Sequence, residues 1–257
     1  MSRNYVYING KFLPEEKAKI SVFSGGVLYG EGLFETMRAY DGKVFRLQEH
    51  LQRMKNGAKV LGLAVPKQWE NTEKIIQKLV RLNNLSDAYL RLMLVRDEDK
   101  NSKIIIICRD IKSYLKKKNS WTCVIVQSVR QNEYSPLSRI KSLNYLPLLI
   151  ARKEAESKGA DEGILLNTKG EICEGTRTNI FLVTENEKLN TPLIESGCLP
   201  GITRKAVIEI VKGLRLKVQE KKLKAEDLKR AKEIFLTNSL IGIMPVRKID
   251  GQIVGKG

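Results

Sequence analysis

Apolar and polar positions alternate over short runs at the start of the chain and then recur at helical spacing, so strands and helices interleave. Tyr5–Ile8 alternates, Asn9-Gly10 supplies a hairpin turn, and Lys11–Leu13 forms the returning arm. A glycine-punctuated stretch, Ser24-Gly25-Gly26 through Gly30 and Gly32, runs into Leu33–Tyr40, with Asp41-Gly42 as the next turn. From Arg46 to Leu61 the apolar residues Leu47, Leu51, Met54, Ala58 and Leu61 recur every three or four positions, one face of an amphipathic helix. A second helix is predicted from Pro66 to Leu82, with proline in its first turn.

Tyr89–Val95 and Lys103–Cys108 read as strands around the polar turn Arg96–Ser102, and Trp121–Val129 as the next strand. Ser142–Ser157 reads as a helix closed by Gly159. Glu162–Leu166 and Ile172–Val183 are predicted strands around Asn167–Gly170. Leu199–Leu214 is a loop entering a helix, and Glu226–Ala231 a shorter helix. Strands at Glu233–Leu236 and Ile249–Val254, the latter with an Asp250-Gly251 turn, close the chain. Hairpins mixed with helices, without strict strand–helix alternation, indicate a mixed α/β or α+β fold rather than a doubly wound sheet. The Lys-rich residues 111–120 are the candidate linker, giving subdomains 1–115 and 116–257.

Composition narrows the chemistry more than the fold. Among 257 residues, 46 Lys and Arg against 29 Asp and Glu leave a net charge of +17. The clusters Lys116–Lys118 and Lys217–Lys232 lack interleaved aromatics for base stacking, so solvated helix faces explain the charge better than nucleic-acid binding. No apolar run approaches a membrane span, and Met1–Leu13 lacks the apolar core of a signal peptide, so a cytoplasmic protein is expected. Four dispersed cysteines exclude a Cys-x-x-Cys metal site and make a disulfide framework improbable. With His50 as the one histidine, no His-rich metal site can be built, and no metal is expected.

Three segments carry small polar residues beside charges. Leu199-Pro200-Gly201-Ile202-Thr203-Arg204 enters a helix, whose free N–H groups and positive dipole end suit a phosphate, with Thr203 as hydroxyl donor; a plain Pro-Gly turn would read alike. Glu174-Gly175-Thr176-Arg177-Thr178-Asn179 opens the apolar strand Ile180–Val183, and Thr237-Asn238-Ser239 follows Ile234-Phe235-Leu236. Either is compatible with a cavity wall or an ordinary turn. Among many lysines, Lys141 stands out for its apolar neighbours Ile140, Leu143, Tyr145, Leu146 and Leu148, but spacing alone does not select it.

At these same segments the chain resembles the class IV aminotransferases, pyridoxal-phosphate enzymes that include branched-chain aminotransferases, D-amino-acid aminotransferases and aminodeoxychorismate lyases. Leu28–Tyr40, Phe45–Met54, Lys141–Leu146, Glu174–Phe181, Leu199–Arg204 and Thr237–Val246 carry the resemblance in order. It implies the fold-type IV architecture: a small N-terminal α/β subdomain, a larger C-terminal pseudo-barrel subdomain, and the cofactor between them. It also implies that Lys141 holds pyridoxal 5'-phosphate as an internal aldimine and carries the catalytic proton. Glu174 would pair with the pyridine nitrogen, and Tyr145 would bond the phenolic oxygen. Arg53, Leu199, Ile202, Thr203 and Ser239 would complete the cofactor site, with Arg53 gripping the phosphate. Tyr29, Phe34, Arg38, Tyr89 and Arg91 would line the substrate site, Tyr89-x-Arg91 matching a carboxylate-binding pattern of branched-chain enzymes. His50 is read as structural.

The expected activity is a transaminase moving an amino group from a branched-chain or other apolar L-amino acid to a 2-oxo acid. The alternative is a lyase giving 4-aminobenzoate and pyruvate, favoured by Thr36 and Leu92, where branched-chain enzymes carry Gly and Pro. A D-amino-acid enzyme is less favoured, since Arg96-Asp97-Glu98-Asp99 contains no histidine for its carboxylate trap. A homodimer acting on small molecules is expected. Relatives continue past Gly255-Lys256-Gly257 into a final helix, so a truncated chain or an unusually short enzyme is expected.

Overall fold

The computed structural model describes residues 4–115 and 118–254; the expected 115/116 boundary, part of the Lys116–Lys118 cluster and the Gly255–Gly257 terminus lie outside them. The chain separates into two compact units, Met1–Lys116 with Ile140–Asn144, and Lys117–Arg139 with Tyr145–Gly257.

In the first unit, β1 (Tyr5–Ile8), β2 (Lys11–Pro14), α1 (Gly25–Tyr29), β3 (Gly32–Tyr40), β4 (Lys43–Val44), α2 (Leu47–Leu61), α3 (Thr72–Leu82), β5 (Ala88–Arg96) and β6 (Ser102–Asp110) follow in order. The strands form an antiparallel sheet in the order β2-β1-β6-β5-β3-β4. Its hairpins turn where the sequence places Asn-Gly and Asp-Gly, with positive φ at Asn9, Gly10, Asp41 and Gly42. Leu33, Met37 and Ala39 of β3, with Leu90, Leu92, Leu94, Ile104 and Ile106, meet Leu51, Met54 and Ala58 of α2 and Ile76 and Leu79 of α3. Two expectations shift here. The glycine-rich stretch contains the short helix α1, capped by the Ser24 hydroxyl. The helix expected from Pro66 is a 3₁₀ turn at Lys67–Asn71 before α3 begins.

The second unit contains β7 (Trp121–Ile125), α4 (Leu146–Ser157), β8 (Glu162–Leu166), β9 (Ile172–Gly175), β10 (Asn179–Val183), β11 (Leu189–Pro192), α5 (Ile202–Gly213), β12 (Val218–Lys221), α6 (Ala225–Lys229), β13 (Glu233–Asn238), β14 (Gly242–Ile249) and β15 (Gln252–Ile253). They make one mixed sheet, ordered β12-β11-β10-β13-β14-β7-β8-β9 with β15 on β14; β11/β12, β14/β7 and β7/β8 are parallel. One face wraps a single core of Trp121, Ile164, Ile180, Leu182, Leu236 and Val246, a half-barrel closed from inside by Leu223 and Leu228. Alternation sends Phe181 to the opposite face, under Val207 and Ile208 of α5, and Leu165 under Ala151 of α4.

Tertiary pairing corrects several boundaries. Ser142 bridges to Leu33 instead of starting a helix, so α4 begins at Leu146. Ile172–Val183 is two strands parted at Thr176–Thr178, and β11, β12 and β14 were not expected as strands. Among the described residues, no helix is long and apolar enough to cross a membrane.

Candidate functional site

In the first unit Phe34, Arg38, Tyr89, Arg91 and Lys141 gather on the sheet face opposite α2 and α3, whereas Arg53 lies on α2 and Tyr29 on α1. Even positions of β3 point there, and the β3/β5 register sets Phe34 across from Met93, Thr36 from Arg91 and Arg38 from Tyr89. Residues 140–144 run antiparallel to the start of β3: Phe34 N–H donates to the Lys141 carbonyl at 2.8 Å, and Leu143 N–H to the Gly32 carbonyl at 2.9 Å. That pairing puts Lys141 across from Phe34 on the same face. The Lys141 Nζ lies 4.6 Å from the Phe34 ring centroid, and the Arg91 guanidinium carbon 4.0 Å from it. No carboxylate among the described residues pairs with Arg91. Arg38, by contrast, is forked onto Asp87, at 2.9 and 2.7 Å. Tyr89 stacks on Tyr114 with centroids 3.9 Å apart, and Tyr29, at the end of α1, is exposed.

The same alternation turns Glu35 into the apolar core, where a lone carboxylate would be costly. Two residues of α2, three positions apart and so on one helix face, meet it. Arg53 donates through Nε to Oε1 at 2.8 Å and through Nη2 to Oε2 at 2.5 Å, a fork on the carboxylate. The Nδ1 of His50 lies 2.7 Å from Oε2; because the ionised carboxylate only accepts, Nδ1 carries the proton. Burial alone would raise the Glu35 carboxyl, but the Arg53 charge and the bonds from His50 and Arg53 hold it down to about 2. His50 is thus a buried structural partner, and Glu35 is the residue that sequence reasoning passed over. Its signal was a carboxylate in phase with Leu33, Met37 and Ala39.

In the second unit the three polar segments interlock. Glu174, near the end of β9, accepts from Leu199 N–H at 3.0 Å and from the Asn179 carboxamide at 3.4 Å. The Asn179 amide also donates to the Leu199 carbonyl at 2.9 Å. A Cβ on Gly201 would stand 1.9 Å from Asn179 Oδ1, so glycine is what allows that approach. The helix α5 then starts at Ile202 with no side chain capping its free N–H groups, and Thr203 is half-buried in its first turn. Across the ladder from Asn179, Thr237 buries a hydroxyl with no hydrogen-bond partner among the described residues; Ser239 follows, half-buried. The Tyr145 hydroxyl donates to the Thr176 carbonyl at 2.8 Å.

The class IV amino-transferase family profile matches residues 32–249. A Methanocaldococcus jannaschii protein, provisionally named a branched-chain-amino-acid aminotransferase, is 40% identical over 97% of this chain and 89% of its own length. The solved branched-chain amino acid aminotransferase of Escherichia coli superposes with a TM-score of 0.93 at 32% identity, over 99% of this chain and 89% of the other. A Legionella pneumophila structure, provisionally named a 4-amino-4-deoxychorismate lyase, aligns at a TM-score of 0.87 and 28% identity over 95% and 91%. The mixed α+β fold is accordingly that of the fold-type IV enzymes. The chain belongs to the class IV aminotransferases.

Proposed function

We propose that the protein is a pyridoxal 5'-phosphate-dependent transaminase for branched-chain L-amino acids and their 2-oxo acids. The observation that carries this reading is the amine of Lys141 and the uncommitted guanidinium of Arg91 sharing one aromatic ring, that of Phe34. The residues present fit the cofactor. The uncapped start of α5, the Thr203 hydroxyl and the orphaned Thr237 hydroxyl are donors suited to a phosphate. Glu174 is a buried carboxylate fixed by two N–H donors, suited to a protonated ring nitrogen.

In this reading Ile202, Thr203 and Ser239 would hold the phosphate. Leu199 N–H keeps the Glu174 carboxylate aimed, and Tyr145, whose one hydroxyl proton goes to the Thr176 carbonyl, would offer its hydroxyl oxygen as acceptor to the phenolic O–H. The bound cofactor supplies the electron sink that makes the substrate α-proton acidic. Arg91 binds the substrate carboxylate, so that the α-carbon lies within reach of Lys141 Nζ, which takes the α-proton and returns it. Phe34 and Met93 offer an apolar wall to a branched side chain. Relatives at 33–40% identity with branched-chain names support that substrate class. Arg96 is consumed by Glu31, the Gly62 carbonyl and the Lys100 carbonyl, which disfavours it as a carboxylate trap for D-amino acids. We place the enzyme in the cytoplasm as a homodimer. Exposed Val22, Phe23, Val27, Leu28 and Tyr29 provide apolar surface for a second copy.

The test is an absorbance titration of the purified protein loaded with pyridoxal phosphate. L-leucine is expected to bleach the visible band to that of the pyridoxamine form, and 2-oxoglutarate to restore it. A band bleached by D-alanine and not by L-leucine would overturn the substrate reading, and pyruvate release from aminodeoxychorismate with no bleaching would establish the lyase. No visible band at all would remove Lys141 from its role.

A further inference from the structure

Glu162, at the start of β8, is fully buried and takes no part in the chemistry above. Its carboxylate closes on the turn that joins β9 to β10. Oε1 accepts from Gly163 N–H at 3.0 Å, from Thr176 N–H at 3.1 Å and from the Thr176 hydroxyl, while Oε2 accepts from the Thr178 hydroxyl at 3.3 Å. The Arg177 Nε stands 3.5 Å from Oε2, its guanidinium over the Trp121 ring. A Cβ on Gly175 would fall 2.2 Å from the Thr178 hydroxyl and 3.1 Å from Glu162 Cγ, so the turn is drawn down onto the carboxylate. The Gly175–Thr178 turn joins β9 to β10, with Glu174 on one side and Asn179 on the other. The Thr176 carbonyl, on the residue Glu162 grips hardest, receives the Tyr145 hydroxyl.

We propose that Glu162 is a positioning residue that clamps the Gly175–Thr178 turn, and through the Thr176 carbonyl fixes where the Tyr145 hydroxyl stands. Sequence gives no reason for a carboxylate at the start of a buried strand other than such a set of donors: two backbone N–H groups and two hydroxyls need an acceptor here, and Glu162 supplies it. Burial raises its carboxyl, with the Thr176 bond and the Arg177 charge opposing. The functional consequence rests on the reading that Tyr145 bonds the cofactor's phenolic oxygen; the clamp itself does not.

The test therefore has a cofactor-free arm and a loaded arm. In the first, the protein is labelled with 3-fluorotyrosine and the Tyr145 ¹⁹F signal is identified by its loss in Tyr145→Phe. Glu162→Ala is expected to move that signal, whereas Glu162→Gln, which keeps an acceptor for Thr176, leaves it in place. An unmoved signal in folded Glu162→Ala would overturn the clamp. In the second arm, the pH midpoint of the visible band of the pyridoxal-phosphate-loaded protein is measured. Glu162→Ala and Tyr145→Phe are each expected to shift it the same way, and the double variant no further, because both act through one hydroxyl. Cofactor affinity should fall about fivefold to tenfold in either, the loss of one hydrogen bond. Additive shifts in the double variant would overturn the proposed route. A moved ¹⁹F signal with unchanged midpoints in both single variants would keep the clamp and refute the role given to Tyr145.

Discussion

Glu35→Gln should cost the first unit about 3 kcal/mol. The side chain is inaccessible, and its carboxyl is held at about 2 where an unstructured glutamate has 4.5. Each tenfold in acidity is worth about 1.4 kcal/mol, so the native surroundings favour the ionised form by about 3 kcal/mol. Removing one member of a buried pair and stranding the Arg53 charge lies in the same range, about 3 to 5 kcal/mol. The sign in pH follows from the depressed value. The contribution is whole above about pH 4.5 and is lost as pH falls towards 2, with about 2 kcal/mol of it gone by about pH 3. Urea unfolding followed by circular dichroism, wild type against Glu35→Gln at pH 7 and pH 3, measures both. A gap of about 3 kcal/mol at pH 7 that shrinks by about 2 at pH 3 is expected. A gap below about 0.5 kcal/mol, or one indifferent to pH, would refute the claim that an ionised Glu35 anchors Arg53.

The other expectations are more local. Lys141→Ala should abolish attachment of pyridoxal phosphate and all turnover, read by loss of the visible band; near-normal turnover would contradict the assignment. Glu174→Gln should keep the cofactor bound yet slow proton abstraction by at least about a hundredfold in stopped-flow, since an amide cannot hold the ring nitrogen charged. Gly201→Ala should destabilise the second unit by about 1 to 3 kcal/mol and weaken cofactor binding, because its Cβ would collide with Asn179 Oδ1 at 1.9 Å. The cysteines should be inert to a thiol reagent at pH 8 until the protein is denatured. All four are buried, and burial pushes Cys108 and Cys198 up to about 12.

Much of the local structure was legible because its causes are local. The positive-φ turns at Asn9-Gly10, Asp41-Gly42 and Asp250-Gly251, the apolar stripe of α2 and the Gly159 stop after α4 depend on residues that are neighbours in sequence. The three polar segments were visible as well, although each alone read equally as a turn; only the bonds joining Glu174, Asn179 and Leu199 distinguish a site from three loops. The β11, β12 and β14 strands were missed because each exists by virtue of its partner. Val218–Lys221, mostly polar and exposed, is a strand only through its register with Leu189–Pro192.

What the sequence determined by itself, then, was the mixed class of fold, the helix faces, the turns and, through six ordered segments, the family. What only the tertiary structure decided was which lysine and which carboxylates differ from their many equivalents. Lys141 is singled out by pairing across from Phe34 rather than by its own neighbours. Glu35 and Glu162 are singled out by burial against donors 15 to 18 residues or 14 to 16 residues away along the chain. The identity of a charged group is written in the sequence. Its environment, which sets its charge and its orientation, is contributed by residues that meet it only when the chain has folded.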